Sequence, residues 1–121
     1  MREYTEAVFR IDANCGWVPD EAARLSVEMA RHGVEFIEQP LPPSEREAQA
    51  QLFRDSALPI IADENCIGIA DVPLCVDHFH GINIKLCKCG GLTPARRMIA
   101  AARDHGLKAV SYTHLTLPTK A

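Results

Sequence analysis

Short apolar runs alternate with longer amphipathic stretches along the chain. The apolar runs lie at residues 8–12, 34–38, 59–63, 82–86 and 107–110. Runs of this length and composition are typical of strands that are covered on both faces. The stretches between them carry apolar residues at helical spacing. The pattern therefore predicts five strands that alternate with helices.

The helical stretches carry their own start signals. Pro19 suits the first turn of a helix, and Ser44 begins a sequence that fits a capping box. We predict that a second helix opens at Ser44, that a weaker helix starts near Asp71, and that residues 93–94 open the last helix. Strand and helix then alternate four times before the final strand.

This alternation predicts an α/β fold with right-handed crossovers and a parallel sheet. A complete (β/α)8 barrel has eight such units in about 250 residues, whereas this chain has 121 residues and four units. The pattern alone leaves two architectures open, an open parallel sheet or a part of a barrel.

Composition and charge exclude several classes of protein. The net charge of −3 offers no basic surface for nucleic acid. No apolar run reaches the roughly 18 residues that span a bilayer, and no apolar signal-peptide core follows Met1. We expect a cytoplasmic protein with no nucleic-acid or membrane partner, in which the five cysteines are reduced.

Charged residues recur at the ends of the predicted strands. Asp12, Glu38, Asp63 and Lys85 follow one another by 26, 25 and 22 residues (12 to 38, 38 to 63, 63 to 85), one strand–helix unit each. A single acidic residue at a strand end is usually solvated or a helix cap. Their repetition instead predicts that the four side chains meet at one rim of the sheet, where barrel enzymes have their active sites.

These residue types suit one kind of chemistry. Three carboxylates held together repel one another unless a cation lies between them, and oxygen ligands alone suit Mg²⁺. The charge of the metal disfavours an ammonium group, so Lys85 is predicted to act as a base near neutral pH. Such a set can remove a proton next to a carboxylate while the metal stabilises the enediolate.

The residues around these positions form four motifs. They are R-I-D-A-N-C-G-W at 10–17, F-I-E-Q-P at 36–40, I-A-D-E-N at 61–65 and N-I-K-L-C-K-C-G-G-L at 83–92. Each resembles, in order, a strand motif of the muconate-lactonizing branch of the enolase superfamily. The resemblance implies part of a (β/α)8 TIM barrel, about strands 3 to 7, over residues 1–110.

The resemblance also implies roles for single residues. Asp12, Glu38 and Asp63 would bind Mg²⁺, and Lys85 would be one acid/base catalyst. Glu64 and Asn83 would contact the metal ligands without binding the metal themselves. The role of Lys88 depends on where its strand ends and stays open.

Residues 78–97 look most like dipeptide epimerases, isomerases that invert one α-carbon of a small dipeptide such as L-Ala-L-Glu. Cycloisomerases and o-succinylbenzoate synthases share the metal site and remain alternatives. The resemblance places the opposing catalytic lysine, the capping domain and the last strands outside this sequence. We therefore expect the chain alone to be inactive and prone to self-association through its strand edges, and the full-length form to be a homo-oligomer.

The last residues follow a different pattern. Residues 111–121 resemble translated sequencing-adapter DNA more than a barrel strand, so we expect a non-native tail; a genuine but divergent strand and loop is the alternative.

Two other classes of site were weighed. The pairs His78/His80 and Cys87/Cys89 supply possible zinc ligands, although Cys-x-Cys spacing is unusual for such sites. Glycines at 90–91 before a helix could bind an anion in a non-catalytic α/β module, but that reading leaves the carboxylates at the strand ends without explanation.

Overall fold

Five strands alternate with helices, as the apolar pattern predicts. The computed structural model describes residues 9–85 and 90–111. The strands are β1 (Phe9–Asp12), β2 (Val34–Glu38), β3 (Ile60–Ala62), β4 (Gly81–Ile84) and β5 (Lys108–Ser111), and the helices are α1 (Pro19–Arg31), α2 (Arg46–Asp55) and α3 (Leu92–Asp104). Two 3₁₀ turns, Ile69–Asp71 and Pro73–Cys75, lie between β3 and β4.

All neighbouring strands are parallel, and they lie in the order β1-β2-β3-β4-β5. The sheet curls into a half-barrel, which confirms the prediction of a partial (β/α) barrel. Strand and helix side chains share one apolar core, which includes Leu52, Ile60, Ala62, Ile82, Ile84, Ala95, Met98 and Ala102. This core holds the strands in place and so fixes the positions of their C-terminal ends.

The strand registers bring those C-terminal ends to the same rim. Asp12 pairs with Glu38 across β1 and β2, and Glu38 pairs with Ile61 across β2 and β3. Asp63 directly follows β3, and Lys85 directly follows β4. Each candidate site residue therefore projects from its own strand end.

Gly81 permits the close approach of β4 to its neighbours. A Cβ atom at this position would lie 2.7 Å from the carbonyl oxygen of Lys108 and 2.9 Å from Cδ1 of Ile61. Both distances are shorter than any ordinary contact, so the first position of β4 requires glycine.

Three helix starts differ from prediction. The capping box at Ser44 is wrong, because α2 begins at Arg46 and Glu45 precedes it without a side-chain cap. The Glu45 amide instead donates to the carbonyl of Pro42, so Ser44 belongs to a turn. Helix α3 begins at Leu92, one residue before the predicted start.

The helix predicted near Asp71 is also wrong, since this segment forms the two 3₁₀ turns. Pro73 lacks the N–H group that a continuing helix would need, and it opens the second turn instead.

The final strand reaches one residue into the predicted tail, since β5 ends at Ser111. Residues 112–121 lie outside the described residues, and so do residues 86–89 with Lys88. None of the helices in the described ranges combines the length and apolar character that crossing a bilayer requires.

Candidate metal centre and catalytic lysine

Three carboxylates from three strand ends meet at the C-terminal rim. One ligand oxygen from each of Asp12, Glu38 and Asp63 lies within 4.8 Å of the other two. Glu38 is 0% exposed and Asp63 is 5% exposed, whereas Asp12 is open to solvent. The cluster is therefore buried on one side and accessible on the other.

Each carboxylate is oriented by a defined donor. The Asn14 amide donates to Asp12 Oδ1 at 3.0 Å, and Asn83 Nδ2 donates to Glu38 Oε2 at 3.0 Å. Asn83 is itself fully buried on β4. The structure thus places Asn83 behind Glu38, in contact with one of the three carboxylates.

Lys85 completes the cluster from the end of β4. Its Nζ donates to Asp63 Oδ2 at 3.0 Å, and its side chain is 34% exposed. The hydrogen bond that Lys85 donates to Asp63 raises the pKa of Lys85 most; burial opposes this, and the charges of Asp63, Glu38 and Asp12 add to the rise. The carboxylates alone therefore favour the ammonium form of Lys85. The role of Lys85 as a base beside a bound metal stays a prediction.

Glu64 lies next to the cluster but contacts a different partner. It is exposed, and its carboxylate acts on the thiol of Cys15, on the loop after β1. Burial raises the pKa of Cys15, as do the charge and hydrogen bond of Glu64 and the charges of Asp12 and Asp63. Glu64 and Cys15 thus link the loops that follow β1 and β3.

Sequence reasoning missed Gln39, the residue after Glu38. Its side chain is fully buried, and its Oε1 accepts from the amides of Asp63 at 2.9 Å and Asn65 at 3.2 Å. A polar residue directly after a buried strand was the available signal. No pattern in the sequence shows that its partners lie 24 and 26 positions away.

The charge balance and the donor atoms both fit a hard divalent cation. Three carboxylates and one ammonium leave a formal charge of −2 at the cluster. Carboxylates this close raise one another's free energy unless a cation offsets them. An all-oxygen donor set with an open side suits Mg²⁺, which keeps positions for water or substrate oxygen.

The histidines considered for zinc lie elsewhere. His78 and His80 precede β4, whereas the carboxylates lie at the C-terminal ends of their strands. The Ile60 amide donates to His80 Nδ1 at 3.0 Å, so the other ring nitrogen of neutral His80 carries the proton and is no metal ligand. Cys87 and Cys89 lie outside the described residues.

Gly90 and Gly91 have φ angles of 93° and 129°. These angles disfavour other residues, so backbone conformation alone accounts for the two glycines before α3.

Known proteins share both this sequence and this fold. The chain is 54% identical over 108 residues to an L-Ala-D/L-amino acid epimerase of Flavobacterium johnsoniae, an alignment that covers 89% of this chain and 32% of that protein. A dipeptide epimerase of Enterococcus faecalis, solved with Mg and the dipeptide L-Leu-L-Tyr, superposes with a TM-score of 0.81 at 29% identity, covering 88% of this chain and 30% of its own. A muconate cycloisomerase variant superposes with a TM-score of 0.84 at 26% identity, over 91% and 31% of the two chains.

The chain spans about a third of the length of the curated relatives that it matches. The sequence model of the enolase C-terminal domain-like family matches residues 1–120. Because this match extends over nearly the whole sequence, and the relatives share the half-barrel, the chain belongs to the enolase C-terminal domain-like family.

Proposed function

We propose that this chain supplies the metal ligands and one catalytic lysine of an Mg²⁺-dependent dipeptide epimerase. The observation that carries the proposal is the cluster of Asp12, Glu38 and Asp63 with Lys85 hydrogen-bonded to it. The curated relatives support the choice of reaction, since several of them are named epimerases. The proposed substrate is a small dipeptide, and the reaction is inversion at one α-carbon.

Sequence identity favours an epimerase over a cycloisomerase. The half-barrel superposes about equally well on both types of enzyme, with TM-scores of 0.81 and 0.84. The relative from Flavobacterium johnsoniae is 54% identical, whereas the cycloisomerase variant is 26% identical. The shared fold therefore does not separate the two activities. The higher sequence identity to the epimerase is what favours that activity.

The three carboxylates would hold Mg²⁺ on the open side of the rim. When bound, the ion supplies positive charge that stabilises a substrate carboxylate whose α-proton is being removed. Asn83 keeps Glu38 oriented, and Asn14 keeps Asp12 oriented, so neither carboxylate has to reorganise.

Lys85 would move the α-proton. As an ammonium it can deliver a proton to the α-carbon, and as an amine it can remove one. The neighbouring carboxylates raise its pKa and favour the ammonium. A cation shared by the same carboxylates would offset their charge and make the amine more accessible.

One lysine serves one face of the α-carbon, whereas inversion needs a second group on the opposite face. The resemblance assigns that group to a strand before residue 1, so we propose that the chain alone does not epimerise dipeptides. The purified chain, incubated with L-Ala-L-Glu and Mg²⁺, should leave the substrate unchanged in a chiral assay.

A chimera tests the proposed activity directly. Residues 9–111 of this chain would replace the aligned segment of the Flavobacterium johnsoniae epimerase, which is 54% identical. A folded chimera should racemise L-Ala-L-Glu in an Mg²⁺-dependent reaction. A chimera that melts cooperatively and binds Mg²⁺ but turns over only muconate would contradict the epimerase proposal.

A further inference from the structure

The buried residue Gln39 connects the three chain segments that carry or adjoin the carboxylates. Gln39 has a φ of 43°, in the left-handed region that non-glycine residues rarely adopt, and its side chain is fully buried. Strained backbone at a buried position persists only where surrounding contacts hold it. The contacts of Gln39 show what holds it there.

Both ends of the side-chain amide are used. Oε1 accepts from the backbone amides of Asp63 and Asn65, at 2.9 Å and 3.2 Å. Nε2 donates to the carbonyl of Leu41 at 2.8 Å and to Asn65 Oδ1 at 2.6 Å. The site thus requires a donor and an acceptor at the reach of glutamine, a combination that glutamate and leucine lack.

The backbone of Gln39 reaches the remaining loop. Its carbonyl accepts from the Cys15 amide at 2.7 Å, three residues after Asp12, and its amide donates to the carbonyl of Ile61 at 2.8 Å. Gln39 also directly follows Glu38. One residue therefore contacts the loop that follows Asp12, the end of β2 at Glu38 and the loop that begins with Asp63.

These contacts act on the direction of the Asp63 carboxylate. The Asp63 amide is held by Gln39 and its carboxylate is held by Lys85. Small divalent ions demand near-ideal ligand geometry, and partners that orient ligands typically change metal affinity by about 10- to 100-fold when removed. A rotation of the loop after β3 would move Asp63 away from Glu38 and Asp12.

We propose that Gln39 is a positioning residue for the metal centre, which sets cation affinity by holding Asp63 in register with Glu38 and Asp12. This inference rests on the proposed function for the existence of the metal site. It assigns to Gln39 no contact with metal or substrate. Its effect passes through the loop after β3.

The substitution Gln39→Gly tests the proposal. Glycine adopts a φ of 43° without strain, so the backbone contacts to Cys15 and Ile61 can remain while the amide is lost. The matched control is Gln49→Ala, because Gln49 is also buried and its Nε2 donates to the carbonyl of His78 at 2.8 Å, before β4 and away from the rim. Both variants lose a buried glutamine amide.

Mn²⁺ is the probe, since it accepts the same oxygen ligands and its free ion is counted by electron paramagnetic resonance. Titrations of the full chain are made well below the melting temperature of each variant. The dissociation constant for Mn²⁺ should rise about 10- to 100-fold in Gln39→Gly and stay at the wild-type value in Gln49→Ala.

The outcomes separate the two proposals. Equal affinities in wild type and Gln39→Gly, or an equal loss in both variants, would overturn the positioning role alone. A wild-type chain that binds no Mn²⁺ would overturn the proposed metal site and the positioning role together.

A double-mutant cycle with Asp63→Asn checks the route of the effect. If Gln39 acts through Asp63, its loss should weaken Mn²⁺ binding less in the Asp63→Asn background than in wild type. If the fold losses in Mn²⁺ affinity from the two substitutions simply multiply in the double variant, Gln39 does not act through Asp63.

Discussion

The two ends of the strands differ in how their polar side chains are partnered. At the N-terminal end, His80 exchanges hydrogen bonds with Ile60: its Nδ1 accepts from the Ile60 amide at 3.0 Å, and its own amide donates to the Ile60 carbonyl at 2.8 Å. Its ring stacks on Phe53 with centroids 4.4 Å apart. Polar groups there find partners within the protein.

At the C-terminal rim, Asp12, Glu38 and Asp63 bring like charges together, and Lys85 offsets only one of them. This arrangement raises the free energy of the folded protein, and the proposed cation would offset that repulsion. One end of the sheet therefore pairs its polar groups within the fold, whereas the other end holds like charges close together. This is the division expected if the C-terminal rim carries the active site.

Lys85→Met in the chimera should produce the largest effect at the rim. Removing an acid/base group lowers turnover by about 10²- to 10⁴-fold, while the apolar side chain leaves the fold intact. The rate of L-Ala-L-Glu racemisation is the measurement. Lys108→Met, at the N-terminal end of β5, is the control and should retain the parent rate. An equal loss of rate in both variants would contradict the assignment of catalysis to the C-terminal rim.

Glu38→Gln should separate binding from stability. We expect Mn²⁺ affinity to fall by more than about 100-fold, whereas the metal-free melting temperature holds or rises because charge repulsion is relieved. Gln Oε1 can still accept from Asn83. Mn²⁺ titration and a thermal melt provide both values.

Glu35→Gln, on the same strand but exposed and paired with Arg10, is the control for Glu38→Gln and should leave Mn²⁺ binding unchanged. A strongly destabilised Glu38→Gln chain would show that the carboxylate supports the fold.

Gly81→Ala, at the N-terminal end of β4, should lower the stability of the fold and leave Mn²⁺ affinity unchanged. Its Cβ would meet the Lys108 carbonyl at 2.7 Å, so we expect a loss of about 1–3 kcal/mol in the free energy of unfolding. Urea denaturation measures this loss, and the folded fraction should bind Mn²⁺ normally. Gly68→Ala, whose added Cβ meets no atom within 4 Å, is the control and should cost much less.

His80→Asn should produce the smallest effect, on the pH dependence of stability. Burial lowers the pKa of His80, so the folded state favours its neutral form. Its contribution is complete above the unfolded pKa of about 6.5 and is lost as the pH falls from there towards the lower folded pKa. Asparagine offers an acceptor near the position of Nδ1 but does not titrate.

Urea midpoints at about pH 7.5 and about pH 5.5 measure this effect, because they lie on either side of the unfolded pKa. The midpoint should drop less on acidification in His80→Asn than in wild type. His32→Asn, at an exposed histidine, should keep the wild-type drop. An unchanged drop in His80→Asn would show that other groups carry the acid sensitivity.

The positions of the site residues were predictable because parallel strands impose them. Asp12 and Glu38 end their strands, and Asp63 and Lys85 follow theirs, where the apolar runs stop. The strand and helix order needed only the apolar spacing. Both inferences depend on local periodicity, which the sequence reveals directly, and on the general rule that parallel crossovers are right-handed.

Contacts that depend on backbone conformation were not predictable in the same way. Ser44 has the chemistry of a cap but lies in a turn. Gln39 contacts Asp63 and has a positive φ, which the sequence does not reveal. The raised pKa of Lys85 was not predicted from the sequence. The prediction assumed a metal beside Lys85, whereas the carboxylates alone favour the ammonium.

Asp12 pairs with Glu38, and Glu38 pairs with Ile61. The proposed cation site therefore forms only when these strands are aligned in this register. Successive residues of a strand face opposite sides, so a one-residue insertion in β2 would turn the Glu38 carboxylate towards the helices. Cation uptake by any redesigned or refolded version of this chain would then report whether three strands had paired in the native alignment, a property that far-UV circular dichroism does not detect.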